Sequence, residues 1–258
     1  MVNWEELFLF ELIVMRMTGF VLFNPIWGRG SVPGMVKAGF VLVLSVFTYG
    51  VADAPAVEVP SQLLVLSVLL MMELGIGLTL SVVIRLFLSV VQLGGEIIDT
   101  QMGMTMAQIY DASSQNNMTV SASLLNILFI LTFFAENGHY TLMRILVTSG
   151  EVLPYGAATF GPEVASHVVE IFLSCMILAV KLALPILAAE LLGEIGMGIL
   201  MKAIPQINAF VINMELKVII GLVLLFFFLT PIHEFLLGAE VQMLNQLSAV
   251  LGTIAGNN

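Results

Sequence analysis

Leu63 to Val91 reads LLVLSVLLMMELGIGLTLSVVIRLFLSVV, an apolar run whose only charged members are Glu73 and Arg85. Apolar and polar positions do not alternate along it, so a half-buried strand is excluded and a helix is predicted. At about 1.5 Å per residue that helix measures on the order of 43 Å, well past the roughly 30 Å hydrocarbon layer of a bilayer. Leu7–Trp27, Val36–Ala52, Ser121–Val147, Val168–Leu200 and Val218–Leu237 read as helices for the same reasons. The expected fold class is therefore all-α: about six apolar segments arranged as hydrophobic helical hairpins, some kinked or broken, in a single domain over residues 1–258. Val36–Ala52 is at the short limit for a span while Leu63–Val91 is too long for a simple one. Such uneven lengths suit helices packed in a protein assembly better than a uniform set of bilayer crossings.

The whole chain carries the same signature. Apolar residues make up 59% of it, and its mean hydropathy is +1.06, far from the balance of a water-soluble domain. The start, with Glu5, Glu6 and Glu11 where a secretory leader needs basic residues, predicts no cleaved signal peptide. A net charge of −10 with no basic patch argues against a nucleic-acid partner. Cys175 is the sole cysteine, which excludes an internal disulfide and a cysteine-based metal site, and it reads as a small core residue.

None of the eight basic residues has an acid three or four positions away, so pairing along one helix is closed to all of them. Arg16, Glu73, Arg85, Lys181 and Glu190 nevertheless sit within or at the margins of apolar stretches. An unpaired ion facing hydrocarbon costs about 2.5–3.5 kcal/mol even on the lenient insertion scale. Their partners must come from other segments, other chains or water. Glu190 and Glu194 share a helical face at i, i+4, where two carboxylates repel unless a cation or a proton intervenes. That arrangement suits a proton site, or a pair that reaches water or a neighbouring subunit's cation.

Pro185 and Pro231 fall inside predicted helices and are expected to kink them as fixed bends. Loops are marked at Asn24-Pro25 through Gly34, at Asp53 to Pro60, at Asp111 to Asn117 and at Pro154 to Pro162. Catalytic signatures are missing: there is no HExxH, GxSxG, cysteine pair or P-loop lysine. His139, His167 and His233 stand apart and read as capped or interfacial residues. No enzyme activity, cofactor or metal is expected.

Gly94 to His139 is the most unusual region. It begins GGEIIDTQMGMTMAQIYDASSQNNMTV, setting paired glycines, acids, the methionines Met102, Met104, Met106 and Met118 and a polar loop between apolar helices. Polar backbone between such flanks is tolerable where protein or a water-filled cavity surrounds it, which suits a pore-lining or pore-closing loop. It also suits a connector at the membrane surface whose methionines fill a core gap.

Four blocks resemble the family of the flagellar biosynthetic protein FliR and its virulence-secretion counterpart SctT: RMTGFVLFNPIWGRGSVPGMVKAGF (Arg16–Phe40), the Gly94–Val120 block quoted above, ENGH (Glu136–His139) and GMGILMKAIPQINAFVINMELKVIIG (Gly196–Gly221). Pro205, Gln206, Ile207 and Asn208, framed by Lys202 and Lys217, are the most specific part. The chain departs from the family pattern at Ala112 and Glu215, where many relatives carry proline. The resemblance implies one subunit of a helical, membrane-associated export gate that conducts unfolded proteins. Its implied partners are FliP, FliQ, FlhB, other flagellar basal-body and export-apparatus proteins, and membrane lipids. It implies a place in the bacterial inner membrane at the flagellar basal body, partly raised toward the periplasm. It further implies that Met106, Ala107, Gln108, Ile109, Tyr110, Asp111, Ala112, Ser113, Ser114, Gln115, Asn116, Asn117, Met118 and Thr119 form a plug that helps close the pore. Arg16, Glu73, Arg85, Lys181, Glu190, Glu194, Lys202 and Lys217 are the candidates for buried-charge or subunit contacts. Two other readings stay open: a virulence-secretion SctT subunit, and a self-sufficient ion-coupled transporter working through Glu190, Glu194 or Glu73.

Overall fold

A computed structural model describes residues 4–51, 57–105, 108–111, 116–203 and 209–256. In chain order the described elements are α1 (Trp4–Phe23), α2 (Gly34–Val51), α3 (Leu63–Met102), β1 (Gln108–Asp111), β2 (Asn116–Thr119), α4 (Val120–Ala135), α5 (Gly138–Val147), α6 (Ser149–Val152), α7 (Pro162–Ala203), α8 (Ala209–Phe227) and α9 (Leu229–Ile254). The fold is all-α, as expected, with one short antiparallel hairpin inserted after α3. Among the described residues three helices, α2, α3 and α7, are long and apolar enough to cross a membrane, and counting the bent pairs α4–α5 and α8–α9 as one span each gives up to five. α1 carries Glu5, Glu6, Glu11 and Arg16 among its apolar residues. At 40 and 42 residues, α3 and α7 measure about 60 and 63 Å, twice the hydrocarbon thickness.

The breaks follow local chemistry. The fourth apolar stretch is cut at Glu136 and Asn137, where Asn137 takes the left-handed conformation (φ 60°, ψ 23°) that asparagine tolerates better than other side-chain-bearing residues. The sixth stretch is cut at Phe228, with a bend of 62° between its two helices. Pro231 falls in the first turn of α9, where its missing N–H is no loss and its ring excludes the continuing turn one step earlier. The bend expected at Pro231 is thus displaced to the preceding turn. α7 runs without interruption through Pro185.

The chain divides into two compact units. The first takes residues 1–86, 137–173 and 241–258; the second takes 87–136 and 174–240.

In the first unit, α1 lies directly against α3. A Cβ at Gly19 would collide with the backbone carbonyl of Leu74, and one at Gly77 with the carbonyl of Arg16 and the amide of Phe20. Bare backbones meet here, the close approach that apolar helices need where no hydrophobic drive separates lipid from protein. Ser81 Oγ donates to Phe20 O across the same contact at 2.8 Å. Edge-on rings of Phe10 and Tyr49 pack α1 on α2 at 5.9 Å. The Asn24-Pro25 turn between them is closed by Asn24 Oδ1, which accepts from the amides of Ile26 and Trp27 at 2.7 and 3.3 Å.

Arg16 and Glu73 sit at the centre of this unit with 0% exposure each, joined Nε to Oε2 at 2.6 Å. The two Nη atoms of Arg16 donate to Ser149 Oγ at 3.0 Å and to Leu153 O at 3.1 Å. Glu73 Oε1 accepts from the amide of Gly156 at 2.9 Å, and Gly156 reaches that position with φ of +78°. The Tyr155 ring lies under the guanidinium, 4.2 Å from its carbon. Burial pushes the Tyr155 hydroxyl above its ordinary value, outweighing the lowering effect of Arg16, so a neutral ring faces the cation. The loop from Leu153 to Gly156 therefore folds over the ion pair and supplies both charges with backbone partners.

Removing one member should cost far more than removing both, because a lone buried charge is left behind. Arg16→Met or Glu73→Leu alone is expected to lower stability by about 3–5 kcal/mol, and the double replacement to recover most of it. Thermal unfolding of the detergent-extracted protein in a double-mutant cycle checks this; two additive losses would show that the pair does not act as a unit.

Candidate functional site

The second unit holds the region between α3 and α4. Paired glycines bring its helices together: a Cβ at Gly95 would overlap the backbone of Ala122 on α4, and one at Gly94 would come within 2.7 Å of Leu182 on α7. α3 then stops at Met102 because Gly103 adopts φ of +77°, the usual left-handed helix end. Met104 N closes the turn by donating to Asp99 O at 2.8 Å.

An irregular loop was expected here. The described part is instead a hairpin, with Gln108 opposite Thr119, Ile109 opposite Met118, Tyr110 opposite Asn117 and Asp111 opposite Asn116. Pairing strand to strand lets this polar insertion satisfy its own backbone groups between two apolar helices, where water cannot be relied on. Met106, Ala107, Ala112, Ser113, Ser114 and Gln115 lie outside the described residues. Asn117 is exposed, while Met118 and Met102 are buried.

The hairpin stands on a clamp. Asp99, wholly buried on α3, accepts from Ser121 N at 2.7 Å and from Ser121 Oγ at 2.5 Å. Thr119, the residue before α4, makes no side-chain cap. A carboxylate from the preceding helix thus fills the capping role at the start of α4, where free N–H groups and the helix dipole favour negative charge. Sequence reasoning missed Asp99 as a site residue. The available signal was an acid and a serine flanking the polar segment, in a protein with few acids.

The expected charge contacts divide into three groups. Arg16 meets Glu73, and Lys217 meets Glu194 at 2.7 Å in a pair that is 25% and 40% exposed. Glu190 shares a recess with Glu194 and Lys217, yet neither of its carboxylate oxygens has a hydrogen-bond partner among the described residues. Arg85, Lys181 and Lys202 are exposed and make no ion pair among the described residues. Pro205, Gln206, Ile207 and Asn208 lie outside the described residues. Of the histidines, His167 bridges Thr253 and Gln246 at 2.8 and 3.1 Å, and His233 lies 3.4 Å from Thr132.

Long apolar helices, glycine-lined helix contacts and a polar hairpin clamped between two of those helices define a helical membrane protein. The sequence profile of the family described as bacterial export proteins, family 1, matches residues 7–243, and the chain belongs to that family. The resemblance seen in the sequence is thereby borne out. Among relatives, the chain is 27% identical to the flagellar biosynthetic protein FliR of Escherichia coli K12 over 253 residues, 98% of this chain and 95% of the relative. It is 26% identical to the protein of the same name from Bacillus subtilis 168 over 220 residues, 84% of each chain. It is also 26% identical to the Yop proteins translocation protein T of Yersinia pestis over 227 residues, 86% of this chain and 85% of the relative.

Asp99→Ala should strand the Ser121 amide in a buried site and cost about 1–3 kcal/mol, with Asp99→Asn, which keeps one acceptor, losing less. Amide hydrogen exchange at residues 119–122 is the direct readout. Equal protection in the wild type and the alanine variant would show that the clamp does not hold the hairpin.

Proposed function

We propose that this chain is a subunit of the bacterial flagellar type III export gate, and that the hairpin region Met106–Thr119 serves as a plug that helps close the conduit. The clamped hairpin is the observation that carries the reading. A polar insertion rooted at two apolar helices by one buried carboxylate is anchored at its base. The sequence relationship to flagellar FliR proteins, extending over nearly the full chain, supports the flagellar assignment.

Closing a conduit needs no catalytic group, only a free-energy difference between closed and substrate-filled states. Holding the open fraction near one in a hundred takes about 2.8 kcal/mol, two factors of ten at 1.4 kcal/mol each. A charge-assisted hydrogen bond contributes about 1.5–3 kcal/mol. Contacts on the scale of the Asp99–Ser121 clamp are therefore sufficient to close the gate and weak enough for an arriving chain to displace. The protein performs no enzymatic step in this scheme.

Exposed apolar surface supports a place among partner subunits. Val43, Phe47, Met71, Leu192, Ile199, Phe226 and Phe227 are exposed apolar side chains, to be covered by FliP, FliQ and FlhB and, at the edges, by lipid. The assembly sits in the inner membrane at the flagellar basal body, partly raised toward the periplasm, and passes unfolded substrates. A second reading, a virulence-secretion gate, is favoured by the likeness to the Yersinia translocation protein, which nearly equals that to the flagellar relatives.

Deletion of Met106–Thr119 is expected to leave the assembled complex intact on co-purification while raising its ion conductance in planar bilayers. An intact complex with wild-type conductance would sink the plug assignment. The companions recovered in the same purification decide between the flagellar and virulence branches.

A further inference from the structure

Glu190, on α7, is only 4% exposed, and among the described residues neither of its carboxylate oxygens has a hydrogen-bond partner. Its Oε1 packs on Gly221 of α8, where a Cβ would come within 2.5 Å of that oxygen and within 2.6 Å of Met102 Cγ and Cε. Met102 ends α3 at the foot of the hairpin. One turn along α7, Glu194 holds Lys217 of α8 at 2.7 Å, in the recess that Glu190 also lines. Among the described residues, the charged groups facing Glu190 are thus Glu194 from its own helix and Lys217 from α8. α3 presents the apolar Met102, its Asp99 being already bonded to Ser121.

An ionised carboxylate in this position would bear the desolvation penalty of a buried charge, offset only by the Lys217 ammonium across the recess, which is already bonded to Glu194. A protonated carboxyl bears only the smaller penalty of an unmet polar group. A cation from another subunit is a poor alternative, because a side chain so nearly covered by its own chain leaves no approach for an arginine or lysine head. A proton is small enough to arrive.

We infer that Glu190 is a proton-binding site, holding a proton in this conformation and, on releasing it to water in the recess, drawing Lys217 across from Glu194. Lys217 keeps its charge throughout, the Glu190 carboxylate gains the ammonium as partner, and Glu194, already part-exposed, is left to solvent. The exchange covers one helical turn, within reach of a lysine side chain. Since Glu190 and Met102 crowd the same glycine, the movement alters the packing at the foot of the hairpin. That last consequence rests on the plug reading; the proton site does not.

The test is a pH titration of the carboxylic-acid carbonyl stretch by infrared difference spectroscopy on the purified complex. The wild type should show a protonated-carboxyl band that disappears as pH rises, and Glu190→Gln should lack it. Lys217→Met, which removes the cation that replaces the proton, should retain the band at a proton concentration at least tenfold lower than that at which the wild type loses it. Identical wild-type and Glu190→Gln spectra at every pH, or a titration that Lys217→Met leaves in place, would overturn the inference. Should Glu190→Gln fail to assemble, the comparison of wild type with Lys217→Met decides alone. Conductance measured on the same samples separates the two ideas: a Glu190-dependent band together with a leak indifferent to pH upholds the proton site and counts against its coupling to the plug, while the deletion of Met106–Thr119 tests the plug itself.

Discussion

A charge enclosed by apolar protein needs a counterpart, and Arg16 with Glu73 shows how much structure that requirement organises. Three segments distant in sequence, α1, α3 and the stretch from Ser149 to Gly156, meet at this pair. Exchanging the pair for apolar residues of similar volume is often neutral, so its value need not lie in net stability. Its value here is register. Gly19 and Gly77 let α1 and α3 approach to backbone contact but do not by themselves choose how far one slides along the other. A one-turn slip of about 5.4 Å would leave both charges unpaired, a loss of about 3–5 kcal/mol against a typical total stability of about 5–15 kcal/mol.

The second unit applies the same rule to uncharged backbone. A polar stretch between apolar helices has N–H and C=O groups to satisfy, and it does so by pairing with itself. What self-pairing cannot satisfy is the buried start of α4, and there Asp99 provides the acceptor. Gly94 and Gly95 contribute the proximity, Gly103 the turn out of α3, and Asp99 the return connection.

Much of this was legible in the sequence, for identifiable reasons. Apolar stretches long enough to be helices announced themselves, and Pro231 marked where one of them breaks, with the break moved by one turn because proline acts on the residues before it, whereas Ser121–Val147 was read as one helix and its break at Glu136 and Asn137 was missed. The Arg16–Glu73 contact was legible only as a need for some partner, since 57 residues separate the two and nothing local links them. The hairpin was read as irregular because its residues, such as Asp111, Asn116 and Asn117, are turn and loop formers. Strand pairing there is imposed by the apolar surroundings and not by propensity. Asp99 went unnoticed because its role depends on α4 returning beside α3, a tertiary fact.

α3 shows what the remaining unpaired charges mean. From Leu63 to Ile84 its one ion is Glu73, neutralised internally, and this half is about 33 Å long, close to one hydrocarbon thickness. From Arg85 onward the character changes. Arg85, Ser89, Gln92, Glu96 and Thr100 recur at spacings of three and four, so they share one face, and Arg85, Glu96 and Thr100 are exposed on it. Lipid tails cannot solvate that face, and Arg85 lies roughly four or more turns from either end of α3, too far to snorkel past a layer covering the whole helix. A helix apolar for one bilayer thickness and polar on one side for the next is what the proposed raising of the gate out of the membrane plane requires. The first half can meet lipid, while the second must be surrounded by water or by the polar surfaces of neighbouring subunits.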